Sequence, residues 1–219
     1  MAKKGLLVLV LAALVVGGAF AQAEFRLSAG VGGYFTSDFG GGYKMSLDGM
    51  AISTKLPYVG FGGFAFFDAT YAELSFGFFG TDGAMVVEAD GASVSTGLYY
   101  TGLDISLYGK YPFVISDKLS LFPLLGVSYR VIVGLKDDDG NDADEPGDMS
   151  ALWFRLGGGL DYSFTDSIYL RAGILYGIRL GNQFEADLQS AAKDLHPNGS
   201  VESLLGHGLE VKVAVGFRF

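Results

Sequence analysis

Leu209-Glu210-Val211-Lys212-Val213-Ala214-Val215-Gly216-Phe217-Arg218-Phe219 closes the chain. Its odd positions are all large and apolar, and none of its even positions is. Such period-2 alternation is the mark of a strand with two unlike faces. One face suits apolar surroundings; the other, with Glu210, Lys212 and Arg218, suits a polar interior.

The opposite end of the chain reads differently. Met1-Ala2-Lys3-Lys4 precedes an uncharged apolar run from Gly5 to Ala21. Basic residues, a short apolar stretch and a small-residue exit make a secretory signal. Ala19-Phe20-Ala21 offers cleavage after residue 21, so that Gln22 begins the mature chain. Ala21-Gln22-Ala23 offers it after residue 23. The opposing reading is an uncleaved anchor, for which 17 residues is near the lower limit. The expected domains are therefore a signal peptide over 1–21 and one barrel over 22–219.

The absence of cysteine excludes a lipid anchor at a processing-site thiol, a disulfide framework and thiolate metal sites. Two histidines argue against nitrogen-ligated metal. The net charge of −9 becomes about −11 once Lys3 and Lys4 leave, which argues against a nucleic-acid partner.

Half the residues are hydrophobic and mean hydropathy is +0.35, as in a membrane protein. Yet no uncharged apolar run of helical-span length follows the signal. Only helices and closed barrels satisfy every backbone polar group in hydrocarbon, so a barrel remains. The competing reading is a secreted soluble sandwich or lipocalin-like barrel, which would alternate too.

Seven further strands can be drawn, at about 25–36, 58–67, 71–80, 98–111, 119–133, 152–164 and 168–179. Leu74, Phe76 and Phe78 oppose Glu73; Leu103, Ile105 and Leu107 oppose Asp104, Ser106 and Lys110. Three connections are short: 68–70, 112–118 and 165–167. Four are long and polar: about 37–57, 81–97, 134–151 and 180–207. Alternating short and long connections suit an up-and-down barrel with four loops at one end and both termini at the other. Aromatics fall into two expected belts. Phe67, Tyr71, Tyr111, Phe113, Phe164, Phe217 and Phe219 lie near the end with the termini. Tyr34, Phe35, Tyr58, Phe79, Tyr99, Tyr100 and Trp153 lie near the other. The expected fold is all-β: a single eight-stranded antiparallel transmembrane barrel.

The terminal Lys212-Val213-Ala214-Val215-Gly216-Phe217-Arg218-Phe219 resembles the C-terminal assembly signal of bacterial outer-membrane barrels, with Ala214 where glycine is usual. Lys212, Phe217 and Phe219 carry that likeness. The mature chain is similar to the small eight-stranded barrels typified by OmpX, OmpW and the OmpA membrane domain. The resemblance implies outer-membrane lipid as surroundings and recognition of the last strand by the barrel assembly machinery. An OmpW-type likeness implies passage of small hydrophobic molecules.

The inward faces should carry Arg26, Lys110, Arg130, Arg155, Arg171, Arg179, Lys212 and Arg218 with Glu73, Asp104, Asp161 and Glu210. An eight-stranded barrel is just wide enough for side chains to fill, so paired charges would plug it. The rival reading takes the excess of cations as a narrow anion-preferring passage. Phe122, Leu124, Trp153 and Leu175 also fall inward, as an apolar pocket or as infill between the arginines.

The third loop carries Asp137, Asp138, Asp139, Asp142, Asp144, Glu145 and Asp148. Asp137, Asp139, Asn141 and Asp148 match part of a calcium-loop spacing, but Asp142 replaces the required glycine. A solvated acidic loop is the preferred reading. The fourth loop could form a helix over 185–195, with Leu188, Ala191, Ala192 and Leu195 on one face. No catalytic spacing joins His196 or His207 to Ser200, Glu202 or Ser203, so a non-enzymatic protein without cofactor is expected. Two functions compete: display of surface loops to an extracellular partner, or passage of a small solute.

Overall fold

The computed structural model describes residues 26–39, 41–47, 50–89, 91–142, 146–182, 189–190, 192–194 and 200–219. The signal segment, Ala143 to Glu145, His196 and most of the 185–195 segment lie outside them. Among the described residues no helix is long and apolar enough to cross a membrane, which has no bearing on strands.

The elements in chain order are β1 (Leu27–Asp38), β2 (Gly42–Leu47), β3 (Met50–Lys55), β4 (Tyr58–Ala69), β5 (Ala72–Ala89) and β6 (Ala92–Lys110). There follow β7 (Phe113–Ser116), β8 (Leu119–Asp137), a 3-10 turn (Pro146–Met149), β9 (Ala151–Ser163), β10 (Ile168–Asn182), β11 (Ser200–Leu204) and β12 (His207–Arg218). Eight of these close a ring of antiparallel neighbours in the order β1-β4-β5-β6-β8-β9-β10-β12, and β12 returns to β1. Closure leaves no exposed edge within the ring. The last strand does what its alternation predicts. Val211, Val213, Val215 and Phe217 face out, while Glu210, Lys212 and Ala214 are buried inside.

The start of β1 and the end of β12 lie at one end. The Phe219 N–H donates to the Leu27 carbonyl at 3.0 Å. The β4–β5 turn is pinned beside them: the Arg26 N–H donates to Thr70 Oγ1 at 2.7 Å, and Thr70 adopts a positive φ of 31°. Across this end, Tyr71 stacks on Tyr111 and Tyr162 packs edge-on to Phe164.

The far end corrects the sequence reading. Segment 81–97, expected as a loop, is a hairpin in which β5 and β6 run on to Ala89 and Ala92. Segment 37–57 holds the β2–β3 hairpin, and 180–207 holds β11. In the third connection β8 extends to Asp137 before the 3-10 turn. At the other end, the 112–118 connection contains β7, paired with the start of β8.

These additions form a sheet beyond the ring, β11-β2-β3-β5-β6. Its alternation is inverted. In the ring, β5 turns Leu74, Phe76 and Phe78 outward and Glu73 and Ser75 inward. Further along, the outward phase carries Asp82 and Glu88, with Val86 between them the one large apolar exception; Glu88 is level with Ser53 and next to Lys44 and Glu202 in the pairing. The inward phase carries Met85 and Val87, the latter opposite Val94. A strand leaving apolar surroundings for water must exchange its polar and apolar faces, so the inversion marks where the lipid-facing belt ends.

The aromatic belt at the far end is also corrected. Tyr34, Phe79, Tyr100 and Trp153 are buried in the lumen and Tyr58 hydrogen-bonds there, whereas Phe35 and Tyr99 lie on the outer face. Strand position alone suggested a girdle; the side-chain phase assigns most of these rings to the interior.

Close wall packing relies on small residues. A Cβ on the inward Gly157 would strike the Ile174 carbonyl and come within 2.8 Å of the Leu175 Cα, both backbone atoms that cannot swing away. At Gly80, exposed on the outer face, a Cβ meets nothing within 4 Å. Gly157→Val should lower stability by about 1–3 kcal/mol, and Gly80→Val should change it little. Urea unfolding of protein refolded into lipid vesicles reads the difference.

Candidate functional site: the ion-paired lumen

Each cluster in the lumen starts from a cross-strand pair. Arg171 on β10 lies directly opposite Asp161 on β9 and holds it with two bonds, both 2.8 Å. Its remaining reach spans the lumen to Glu73 at 2.6 Å and Asp68 at 2.5 Å. Lys110 caps Asp68 from the neighbouring side. The Arg171 guanidinium lies 4.7 Å from the Phe66 ring centre and 5.0 Å from that of Phe122.

The second cluster sits nearer the far end. Arg130 on β8 lies opposite Asp104 on β6 and donates to it at 3.0 Å. Across the lumen Arg130 donates to Glu210 at 2.9 Å, Thr36 at 2.9 Å and Tyr58 at 2.7 Å. Glu210 also accepts from Arg155 at 2.7 Å and Lys212 at 3.0 Å. Arg155 donates to Ser128 at 2.6 Å. The Trp153 ring lies 5.6 Å from the Arg130 guanidinium and 5.5 Å from that of Arg155. Lys212 sits over Phe64 and Tyr108.

Of the residues expected in the lumen, Glu73, Asp104, Lys110, Arg130, Arg155, Asp161, Arg171, Glu210 and Lys212 thus come together in these two clusters. Arg26, Arg179 and Arg218 do not. Arg26 is exposed at the terminal rim. Arg218 there donates to Ser163 at 2.7 Å and stacks on Tyr169 at 4.5 Å. Arg179 lies at the far rim over Tyr43 at 5.6 Å.

Sequence reasoning missed two buried lumen acids, Asp38 and Asp68. Both had been assigned to connections. Asp68 follows the Gly-Phe-rich run of β4, where both phases hold apolar or absent side chains and parity says little; its even position, in phase with Phe64 and Phe66, is the signal for it. With them, the buried carboxylates Asp38, Asp68, Glu73, Asp104, Asp161 and Glu210 outnumber the buried cations Lys110, Arg130, Arg155, Arg171 and Lys212. Among the buried side chains the expected excess of cations is therefore absent; Arg179 and Arg218, which line the two rims, are not among them.

Between the clusters the lumen is filled. Tyr108, Leu175, Ser106, Ser128 and Glu210 are fully buried. Tyr108, Phe122, Leu124 and Leu175 pack as one apolar group, so three of the four apolar residues expected inside are infill. Trp153 lines the floor of a far-end cavity of about 40 Å³ together with Arg130, room for a few water molecules. At the other end a vestibule of about 660 Å³ stops at Arg171 and Phe122.

The acidic loop closes on itself. The Asp137 carboxylate accepts the Asn141 N–H at 2.8 Å and its side-chain amide at 3.0 Å, around Gly140 with φ +82°. These bonds hold the Asp137 carboxyl below the usual carboxylate range. Asp138 caps Gly97, Asp142 bridges to Lys136, and Asp139 is exposed. Asp144, Glu145 and the Asp148 side chain lie outside the described residues. Among the described residues no three carboxylate, histidine or cysteine groups converge as for a metal. His207 packs edge-on to Phe39 at 4.7 Å. Ser200 and Glu202 are taken into β11.

A closed ring with an apolar exterior and an ion-paired interior defines a transmembrane β-barrel. Over residues 6–219 the chain matches the outer membrane protein beta-barrel domain, and it belongs to that family. No curated protein matches it significantly. Among solved structures it is similar to the outer membrane protein OprG from Pseudomonas aeruginosa, at 10% identity over 89% of this chain and 96% of that one, with a TM-score of 0.49. Another is Ail, the attachment invasion locus protein of Yersinia pestis, in complex with the heparin analogue sucrose octasulfate, at 16% identity over 90% and 100%, with a TM-score of 0.40. A third is the outer membrane protease OmpT from Escherichia coli, at 9% identity over 91% and 99%, with a TM-score of 0.45.

Proposed function

We propose that this chain is a non-enzymatic outer-membrane protein whose plugged barrel displays its extended end to partners outside the cell. The termini would then face the periplasm, with the signal over 1–21 removed and Lys212, Phe217 and Phe219 serving the assembly machinery. The observation that carries this reading is the double ion cluster. A solute path would have to break bonds from Arg130 and Arg171 that each reach across the lumen, leaving charges bare in a confined site. The sheet beyond the ring supplies the area for display.

Planar-bilayer recording on refolded protein tests it. The wild type should stay silent. Steady single-channel openings, or uptake of a small hydrophobic or anionic solute by liposomes carrying the protein, would favour passage instead. Arg130→Ala with Arg155→Ala should stay silent as well, because the Arg171 cluster and the apolar layer still fill the bore.

A further inference from the structure

The floor of the vestibule beside the start of β1 and the end of β12 is one positive charge short. Three carboxylates, Asp68, Glu73 and Asp161, share two cations, Lys110 and Arg171. The cations of the other cluster, Arg130, Arg155 and Lys212, are all committed to Glu210.

Both floor cations reach Asp68 through the same oxygen. Lys110 and Arg171 each donate to Oδ2. Oδ1 is buried and has no hydrogen-bond donor among the described residues. Asp68 is 2% exposed and lines the vestibule. A buried carboxylate oxygen left open is unfavourable until a donor meets it. Neutral acceptors stand beside the acids. Ser28 lies directly opposite Asp68 in the β1–β4 pairing, and Ser120 opposite Asp161 in the β8–β9 pairing; both line the vestibule. The Ser28 hydroxyl shares one hydrogen bond with Tyr169 at 2.8 Å and keeps a further lone pair.

A ligand suited to this floor brings one positive charge and N–H donors on a slim group. A primary ammonium brings one charge and three donors. A metal ion asks for several carboxylate oxygens at once, and among the described residues no three acids converge in that way. The vestibule, about 660 Å³, is of small-molecule size. We propose that it binds a small molecule by a primary ammonium group, which donates to Asp68 Oδ1 and to Ser28 and supplies the charge the floor lacks. The rim carries both signs, Arg26 and Arg218 with Asp117 and Asp166, and so leaves the ligand's tail unspecified. The site lies at the end opposite the displayed sheet and stands whether or not the barrel conducts.

The test is saturation-transfer NMR on the full refolded chain in nanodiscs of zwitterionic lipid, with empty nanodiscs as the blank. The probe is 4-aminobutan-1-ol. Butane-1,4-diol lacks the charge, and (4-hydroxybutyl)trimethylammonium keeps the charge without the donors. The amine should bind, the quaternary compound more weakly, and the diol not at all. Asp68→Asn should weaken binding of the amine about tenfold, as expected for a charge-assisted bond in a buried site. Ser28→Lys places a tethered ammonium opposite Asp68 and should abolish binding. Heat-modifiable gel mobility checks that each variant is folded. A wild-type signal no greater than that of empty nanodiscs, equal binding of the diol or the quaternary compound, or undiminished binding by a folded Asp68→Asn or Ser28→Lys chain would overturn the proposal. The comparison of the three probes on the wild type decides it even where neither variant folds.

Discussion

Glu210→Ala should destabilise the barrel by about 3–5 kcal/mol, as expected when one member of a buried ion network is removed. Glu210 is fully buried and accepts from three cations, Arg130, Arg155 and Lys212, which belong to three different strands. Arg130 keeps Asp104, Thr36 and Tyr58; Arg155 keeps Ser128 and a longer approach to Asp104 at 3.8 Å. Lys212 is left over aromatic faces, with no other carboxylate in an ion pair with it among the described residues. The cost is therefore concentrated on Lys212. Glu210→Ala with Lys212→Met should recover a measurable part of it, whereas Glu210→Ala with Arg130→Met should recover less and leave Asp104 with Ser106 and, as its ion-pair partner among the described residues, the longer approach of Arg155. Urea midpoints in vesicles, with slopes compared to confirm the same unfolded state, separate the two double variants. Equal recovery would show that the three cations share the loss.

How far this site could be read beforehand depends on whether a residue's face was legible. β12 alternates without interruption, and β6 over 102–110 and β8 over 125–131 keep one phase below the irregularity at Thr101/Gly102, so Glu210, Lys212, Asp104, Lys110 and Arg130 follow from parity alone. β4 was opaque because Gly60-Phe61-Gly62-Gly63-Phe64 offers apolar or absent side chains in both phases, and Asp68 was lost to a turn in consequence. The far-end strands were lost for a different reason. Outward apolar residues mark a strand only inside the lipid belt; beyond it the faces are largely exchanged, so the stretch with Met85, Val87 and Glu88 has no such mark in the sequence. Charge balance failed last, because it needs every inward acid to be found. What a sequence does not carry is the partner across the lumen: Glu73 and Arg171 are 98 positions apart and meet only once the ring closes.

Arg171→Met should cost a comparable amount, about 3–5 kcal/mol, for the opposite reason. It removes the one cation that touches Asp68, Glu73 and Asp161 together. Lys110 still pairs with Asp68, but Glu73 and Asp161 lose the only ion-pair partner described for either. Methionine fills much of the space against Phe66 and Phe122, so the loss reports charge more than packing. Neutralising the stranded acids in the same chain, Arg171→Met with Glu73→Gln and Asp161→Asn, should return most of the stability, because a neutral cluster has no bare charge to bury. The same pair of variants bears on function. If the Arg171 cluster by itself seals the bore, the refolded triple variant should leak small ions in planar bilayers while remaining stable. If it stays silent, the apolar layer of Tyr108, Leu124 and Leu175 together with the untouched Arg130–Glu210 cluster is sufficient as the seal, and the Arg171 pairs serve mainly to fix which strands face one another.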